Sequence, residues 1–279
     1  MAKTKSTRVK APANLPAGEA LHINCGSHDV GTSNPTGNVA TDGGISRGAQ
    51  FLKCKKPINI ATMNTRTLKN PHKQLELCVL AKKYRIEVLA IQEHRIVHSD
   101  NSELQFEDLQ EGFQLITASA YRNKIGASIG GVGILLSSSA KRAMLSVRFI
   151  TSRILQVTLG GNPKTTIITT YSPTNVSDEE DVEEHYKQLN AATKSVPAHN
   201  VLIIARDFNA RIGLDDAKFA YHQNRNRNGD FLLEFAQENN LIITNTTFQK
   251  KKSKRWTCVL PNGFRAQRDY VLIRKKWKN

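Results

Sequence analysis

Apolar residues along this chain gather in short runs bounded by Gly, Pro, Asn and Asp. The runs Ile58 to Met63, Val88 to Glu93, Phe113 to Ala118, Val132 to Ser137, Leu145 to Phe149, Ile154 to Leu159, Thr166 to Tyr171 and 203 to 207 read as strands, several apolar enough to be buried on both faces. Leu241 to Asn245, Trp256 to Leu260 and Asp269 to Ile273 supply closing strands. Between them, helical spacing appears three times. Pro71 to Arg85 carries Leu75, Cys78, Val79 and Lys82 on one face, with a proline suited to the first turn. Ser177 followed by Glu180 reads as a capping box before Val182, Tyr186 and Leu189, and Asp230 to Asn239 buries Phe231, Leu232 and Phe235. Many strands with helices between them, without strict alternation, predict an α/β fold in which two mixed sheets pack together, flanked by helices.

Residues 1 to 56 break this pattern. They hold seven of the 17 glycines with Pro12, Pro16 and Pro35 and show no sustained period, so the expectation is a disordered tail before one domain over 57 to 279. Charge sharpens the picture. The net +16 is concentrated at the ends: residues 250 to 279 hold 11 basic residues and one acid, and residues 1 to 57 hold eight and three. Lys250, Lys251 and Lys252, with Lys254 and Arg255 beside Trp256, have the make-up of a surface that neutralises phosphates and stacks a base, and equally that of a solvated basic turn. Cys25, Cys54, Cys78 and Cys258 lack both C-x-x-C spacing and the density of a disulfide scaffold, so reduced thiols are expected. No apolar stretch suits a signal peptide or a membrane span; nuclear or cytoplasmic residence without secretion is the reading.

The candidate chemistry lies where two apolar runs end in acids. Ile203 to Asn209 closes on Asp207 and Asn209, two apart and expected to point the same way from an extended backbone, and Val88 to Glu93 closes on Glu93. Acids that directly follow buried strands need partners or a metal. The Gly130, Gly131, Gly133 cluster lacks the context of a nucleotide loop and reads as a turn and bulge. The six acids of 178 to 184 read as the favoured charge of a helix N-terminus.

Asn64, Gln92-Glu93-His94-Arg95, Tyr171-Ser172-Pro173-Thr174-Asn175, Asp207-Phe208-Asn209-Ala210 and Asp269-Tyr270 occur in the order seen in the endonuclease/exonuclease/phosphatase superfamily. With Asn239 to Thr246 and Pro261-Asn262-Gly263, the chain resembles more narrowly the apurinic-endonuclease-type domain of LINE-like retrotransposons and its craniofacial-development-protein-like relatives, over about residues 57 to 275. The resemblance implies a four-layer α-β-β-α sandwich and a Mg²⁺-dependent, or Mn²⁺-dependent, endonuclease acting on DNA. It implies Glu93 with Asn64 as metal site, Asp207 as the proton-handling carboxylate, Asn209 as the amide at the phosphate, Tyr171 and Asn175 on the phosphate side, and Asp269 as the acid that orients a histidine. It further implies, for an intact element, a reverse transcriptase downstream on the same polypeptide.

Three departures stand beside the matches. The family's Ser-Asp-His near its last strand is not found before Asn279, Arg206 replaces the usual Gly before Asp207, and Arg268 replaces an aliphatic residue before Asp269. Arg206 in that place either crowds a metal or binds a phosphate. The expectation is a nicking endonuclease, weakened or inactive in a domain lacking its last strand; the alternatives are a silent nucleic-acid-binding fragment and a lipid or sugar phosphatase of the same superfamily.

Overall fold

A computed structural model of the protein describes residues 18–23, 58–260 and 262–278. The strands are β1 (Gly18–Ile23), β2 (Ile58–Asn64), β3 (Ile86–Gln92), β4 (Leu104–Asp108), β5 (Gln114–Ala118), β6 (Tyr121–Arg122), β7 (Ser128–Ile129), β8 (Val132–Leu136), β9 (Met144–Thr151), β10 (Ile154–Leu159), β11 (Thr165–Tyr171), β12 (Val201–Asp207), β13 (Leu241–Ile243), β14 (Cys258–Val259), β15 (Arg265–Ala266) and β16 (Asp269–Arg274). Helices are α1 (Pro71–Lys83), α2 (Ser138–Arg142), α3 (Glu179–Lys194), α4 (Arg227–Glu238) and α5 (Thr244–Thr247).

Two six-stranded sheets result, one ordered β1-β2-β3-β8-β5-β4 and the other β13-β16-β12-β11-β10-β9. Ile60, Val88, Ile134 and Leu136 of the first meet Val157, Ile167, Ile203 and Val271 of the second in the central core. Outside, α1 packs Leu77, Cys78 and Ala81 on the first sheet, while α3 and α4 pack Val182, Leu189, Leu232 and Phe235 on the second. These are the expected four layers. Each fully buried Val, Leu or Ile contributes about 1.5 to 3 kcal/mol of transfer free energy, so the three cores dominate the folding balance.

Period two along the strands decides which residues meet. In β12, Ile203 and Ala205 face the central core and Leu202 and Ile204 face the helices. Asp207 therefore falls on the inner face and Arg206 on the helix side. The same alternation puts Thr62 and Asn64 in line with Ile58 and Ile60, Gln92 with Val88 and Ala90, Thr169 and Tyr171 with Ile167, and Asp269 with Val271 and Ile273. Five inner rows that are apolar for most of their length turn polar at one end of the sandwich.

Several expectations change. Of the anticipated buried face of α1 only Cys78 holds; Leu75 and Val79 are exposed, Lys82 pairs with Glu111, and Gln74, Leu77 and Ala81 are buried instead. Apolar residues occur all round this helix, so spacing alone did not choose the face. The Ser177 capping box does not form: α3 has Asp178 at its N-cap, and the Ser177 Oγ accepts from the Thr174 amide at 3.1 Å. Helix α4 starts at Arg227, where the Asn226 side chain caps Gly229 N. The strand expected over 256 to 260 shrinks to Cys258–Val259, and the run from Leu241 turns helical at Thr244, where the Asn245 side chain accepts from Val271 N of β16. The supposed tail contributes β1, antiparallel to β2, and the rest of it lies outside the described residues.

Candidate active site

At the polar end of the sandwich, one side-chain nitrogen joins the two sheets. Asn64 Nδ2 donates to Glu93 Oε1 at 2.7 Å and to Asp207 Oδ2 at 3.2 Å, and Asn64 Oδ1 accepts from Arg66 N at 3.0 Å. Glu93 and Asp207, the acids that close the two apolar runs, do not share a sheet. Glu93 lies just past β3 with φ 55° and Asp207 at the end of β12. Arg95 Nη2 lies 2.9 Å from Glu93 Oε2, and the Tyr171 phenol donates to the same carboxylate. Burial pushes the Glu93 carboxyl up, but the bonds from Asn64, Arg95 and Tyr171 outweigh it and leave the group below the usual range. Asp207 behaves oppositely. Its burial raises the pKa, against the lowering influence of the Asn209 amide, Asn64 and the charges of Arg206 and Arg268. Burial, then the charges of Glu93 and Asp207, raise the Tyr171 phenol so far that it stays protonated and serves as a donor.

Asp269 faces Asp207 directly in the antiparallel β12–β16 register, and Tyr171 is paired with Asp207 across β11–β12. Asp269 is held through its backbone: its amide donates to Thr257 Oγ1 at 3.1 Å and its carbonyl accepts from Asn245 Nδ2 at 3.1 Å. Asn209 is not on extended backbone. With φ 49° it sits past the strand, its amide N donating to Asp207 Oδ1 at 2.9 Å and its side chain to the Ser172 carbonyl at 3.1 Å. The side chain thus locks the two site loops together. Asn175 is exposed, with Oδ1 3.4 Å from Asn228 N.

The basic run divides in two. Lys251 and Lys252 are exposed and Lys250 is half-buried, whereas Arg255 donates to the carbonyls of Lys250 at 2.9 Å and Ala220 at 3.1 Å and so fastens this loop to the domain. Trp256 donates to the Ser253 carbonyl at 2.9 Å and carries the Arg265 guanidinium over its ring at 4.8 Å. Arg206 neither crowds Glu93 nor reaches the site surface; it is fully buried on the helix side, stacked on Phe208, and burial lowers it to about 10, still charged at neutral pH. His94 is a structural residue: Nε2 lies 3.0 Å from the Ala118 carbonyl and 3.2 Å from that of Val132, and Nδ1 accepts from Ile96 N. The neighbouring Gly131, at φ 84°, leaves room for that ring, since a Cβ there would stand 2.5 Å from it.

Sequence reasoning missed three contributors. Thr62 Oγ1 donates to Gln92 Oε1 and Gln92 Nε2 to Thr169 Oγ1, both at 3.1 Å, a buried polar link between the sheets just beneath Asn64. Arg153 lies between the rings of Tyr121 and Tyr171, 5.4 and 5.6 Å from their centroids, and donates to the Tyr121 hydroxyl at 2.7 Å. Arg66 lines a depression of about 550 Å³ with Glu93, Arg95, Val259 and Leu260. The signal for the first was polar residues on the inner face of otherwise apolar strands; nothing local marked the other two.

Among the described residues no three His, Cys, Asp or Glu side chains cluster as a metal cage. The donors that do converge are two carboxylates from opposite sheets sharing one amide hydrogen-bond donor, a hard oxygen set that suits Mg²⁺ or Mn²⁺ completed by water. Among the described residues, no helix is long and apolar enough to cross a membrane.

No family model matches the sequence. It is similar to craniofacial development protein 2 of Bos taurus, 28% identical over 233 residues covering 81% of this chain and 37% of the relative, and to that of Tragulus javanicus at 27%, covering 81% and 38%. The chain thus spans a little over a third of the length of these curated relatives. Among solved structures it is similar to a Neisseria 3′ phosphatase bound to a product DNA hairpin, with TM-score 0.54, 14% identity and coverage of 78% of this chain and 86% of that one. An AP endonuclease from Leishmania major gives TM-score 0.55, 12% identity and coverage of 77% and 78%. These neighbours belong to the endonuclease/exonuclease/phosphatase superfamily, and the protein shares their DNase I-like four-layer fold.

Proposed function

We propose that the chain is built as a divalent-metal-dependent phosphodiesterase that nicks DNA, of the kind carried by LINE-like retrotransposons. The observation that carries this reading is the convergence of Glu93 and Asp207 on Asn64. Mg²⁺ or Mn²⁺, held by Glu93 with Asp207 and Asn64 beside it, would supply positive charge at the phosphate. Asp207, its pKa raised by burial, takes the proton of an attacking water or returns one to the leaving oxygen. The Tyr171 phenol and the Asn209 backbone hold the two carboxylates in place. Arg66 and Arg95 flank the depression, where cations would meet phosphate oxygens, and the exposed Lys251 and Lys252 supply further basic charge in their own loop. A reverse transcriptase on the same polypeptide and residence in nucleus or cytoplasm complete the proposal.

A second reading, nucleic-acid binding without cleavage, is favoured by the Arg95–Glu93 ion pair and by the Asn209 amide already given to Ser172. Nicking of supercoiled plasmid with Mg²⁺ or Mn²⁺, in wild type and Asp207→Ala, separates the two. Cleavage lost in the variant supports the first; DNA binding that is equal in both proteins, without cleavage in either, supports the second. A 3′-phosphorylated oligonucleotide dephosphorylated faster than plasmid is nicked would replace both with a phosphatase.

A further inference from the structure

Arg206 is buried on the helix side of β12 with part of its hydrogen-bonding capacity unspent. Its Nε donates to the Asp207 carbonyl at 3.1 Å, and the guanidinium carbon lies 3.9 Å from the Phe208 ring centroid and 5.6 Å from that of Tyr186. Both Nη atoms are buried and have no hydrogen-bond partner. Among the buried polar atoms of the helix layer without a partner, two belong to side chains on which the Arg206 charge acts: Nδ1 of His185 and the hydroxyl of Tyr186, consecutive residues of α3. Thr170, the β11 partner of Arg206 in the strand register, places its hydroxyl 3.4 Å from His185 Nε2. With that nitrogen accepting from the hydroxyl, the imidazole proton resides on Nδ1.

Around Arg206 the unspent atoms can each donate: four guanidinium hydrogens, one imidazole N–H and one phenol O–H. No carboxylate bonds to them, although the Asp207 charge acts on Arg206. Glu179, Glu180 and Asp181 in the first turn of α3 are exposed, and Asp207 turns its carboxylate to the inner face, toward Asn64. Arg153 adds positive charge that acts on Arg206. A buried cation among donors is costly, and a small anion would accept from several at once. We infer that Arg206, His185 and Tyr186 form an interior site for one small monovalent inorganic anion, with chloride as the probe. This site is separate from the carboxylate cluster and does not depend on nuclease activity.

Thermal unfolding at constant ionic strength, with sodium gluconate replaced stepwise by sodium chloride, tests the inference. The wild-type midpoint is expected to rise saturably, by about 5 °C when chloride exceeds its Kd by roughly 100-fold. Arg206→Met, which keeps an unbranched apolar stem against Phe208, should lose that response while surface anion effects persist. Should the variant not fold, wild-type crystals soaked in bromide decide the matter through an anomalous peak beside the Arg206 guanidinium. A midpoint indifferent to chloride, an equal response in Arg206→Met, or a water molecule where the bromide should lie would each overturn the site.

Discussion

Asn64 and Asp207 touch across the gap between the sheets, 3.2 Å from Nδ2 to Oδ2, although 143 residues separate them in the chain. The same nitrogen also serves Glu93, so one amide supplies a donor to two acids, one half-buried and one buried. Asn64→Ala should lower the unfolding free energy by about 1 to 3 kcal/mol in metal-free buffer, the usual cost of leaving buried acceptors unserved. Urea denaturation measures it. An unchanged midpoint would mean that water replaces the amide without penalty and that the bridge is incidental.

Metal affinity gives the second expectation. Glu93 is ionised and already paired with Arg95, so a divalent cation competes with a guanidinium, and binding should be weak. Mn²⁺ titrated into wild type and Glu93→Ala by calorimetry should show affinity at least about 10-fold lower in the variant. Equal affinities would remove Glu93 from the site.

Much of this site is legible in the sequence because it is made at strand ends. Apolar runs that close on Glu93, Asp207 and Asp269 announce where acids emerge from a core, and period two then sorts inner from outer residues. What the pattern cannot give is which face of a strand buried on both sides looks where. Every residue of β12 is buried, so a charge at Arg206 reads equally as a site residue or as one lodged beneath α3, and only packing decides. Backbone conformation is similarly hidden. Glu93, Arg95 and Asn209 all adopt positive φ, which no local propensity demands of Glu or Arg, so Asn209 was placed on a strand that had already ended. Arg255 shows a third blind spot: a basic residue in a basic run gave no sign that its donors belong to the Lys250 and Ala220 carbonyls.

Acid should weaken the fold through its buried imidazoles. Desolvation, the largest influence, lowers His94 from 6.5 to about 4, and burial also lowers His185 well below its ordinary value. Both side chains are held neutral in the folded state. The unfolded chain therefore binds more protons as pH falls below about 6.5, and stability is lost from there down through the folded pKa values, fully retained above 6.5. For His94 the loss is of order 3 kcal/mol across that window. Unfolding midpoints between pH 7.5 and 4.5 should fall accordingly. A flat profile would show that His94 takes up a proton in place.

Two glycines of positive φ, one against the His94 ring and one in open space, allow a paired steric test. Gly131 and Gly126 both have positive φ, 84° and 78°, but a Cβ on Gly131 would meet the His94 ring at 2.5 Å and one on Gly126 meets nothing within 4 Å. Gly126→Ala should cost about 1 kcal/mol for its conformation alone. Gly131→Ala adds the clash and should cost about 3 kcal/mol or more. Equal costs in denaturant unfolding would mean that the ring moves aside freely.

The basic loop makes the last prediction, about how the protein would hold a polyanion. Lys251 and Lys252 are exposed, Lys250 is half-buried beside them, and Arg255 keeps the loop folded against Ala220. If the loop meets DNA, each lysine that contacts a phosphate releases a counterion, so affinity should fall steeply with salt and show little sequence preference. Replacing Lys250, Lys251 and Lys252 with Ala should flatten the dependence of log Kd on log salt by up to about three contacts. Arg255→Ala should act differently, loosening the loop and lowering affinity while leaving the lysines' charge in place. Fluorescence anisotropy with a short duplex between 50 and 200 mM salt separates the two. A slope unaltered by the triple substitution would return the run to a solvated turn and move the DNA surface to the depression beside Arg66 and Arg95.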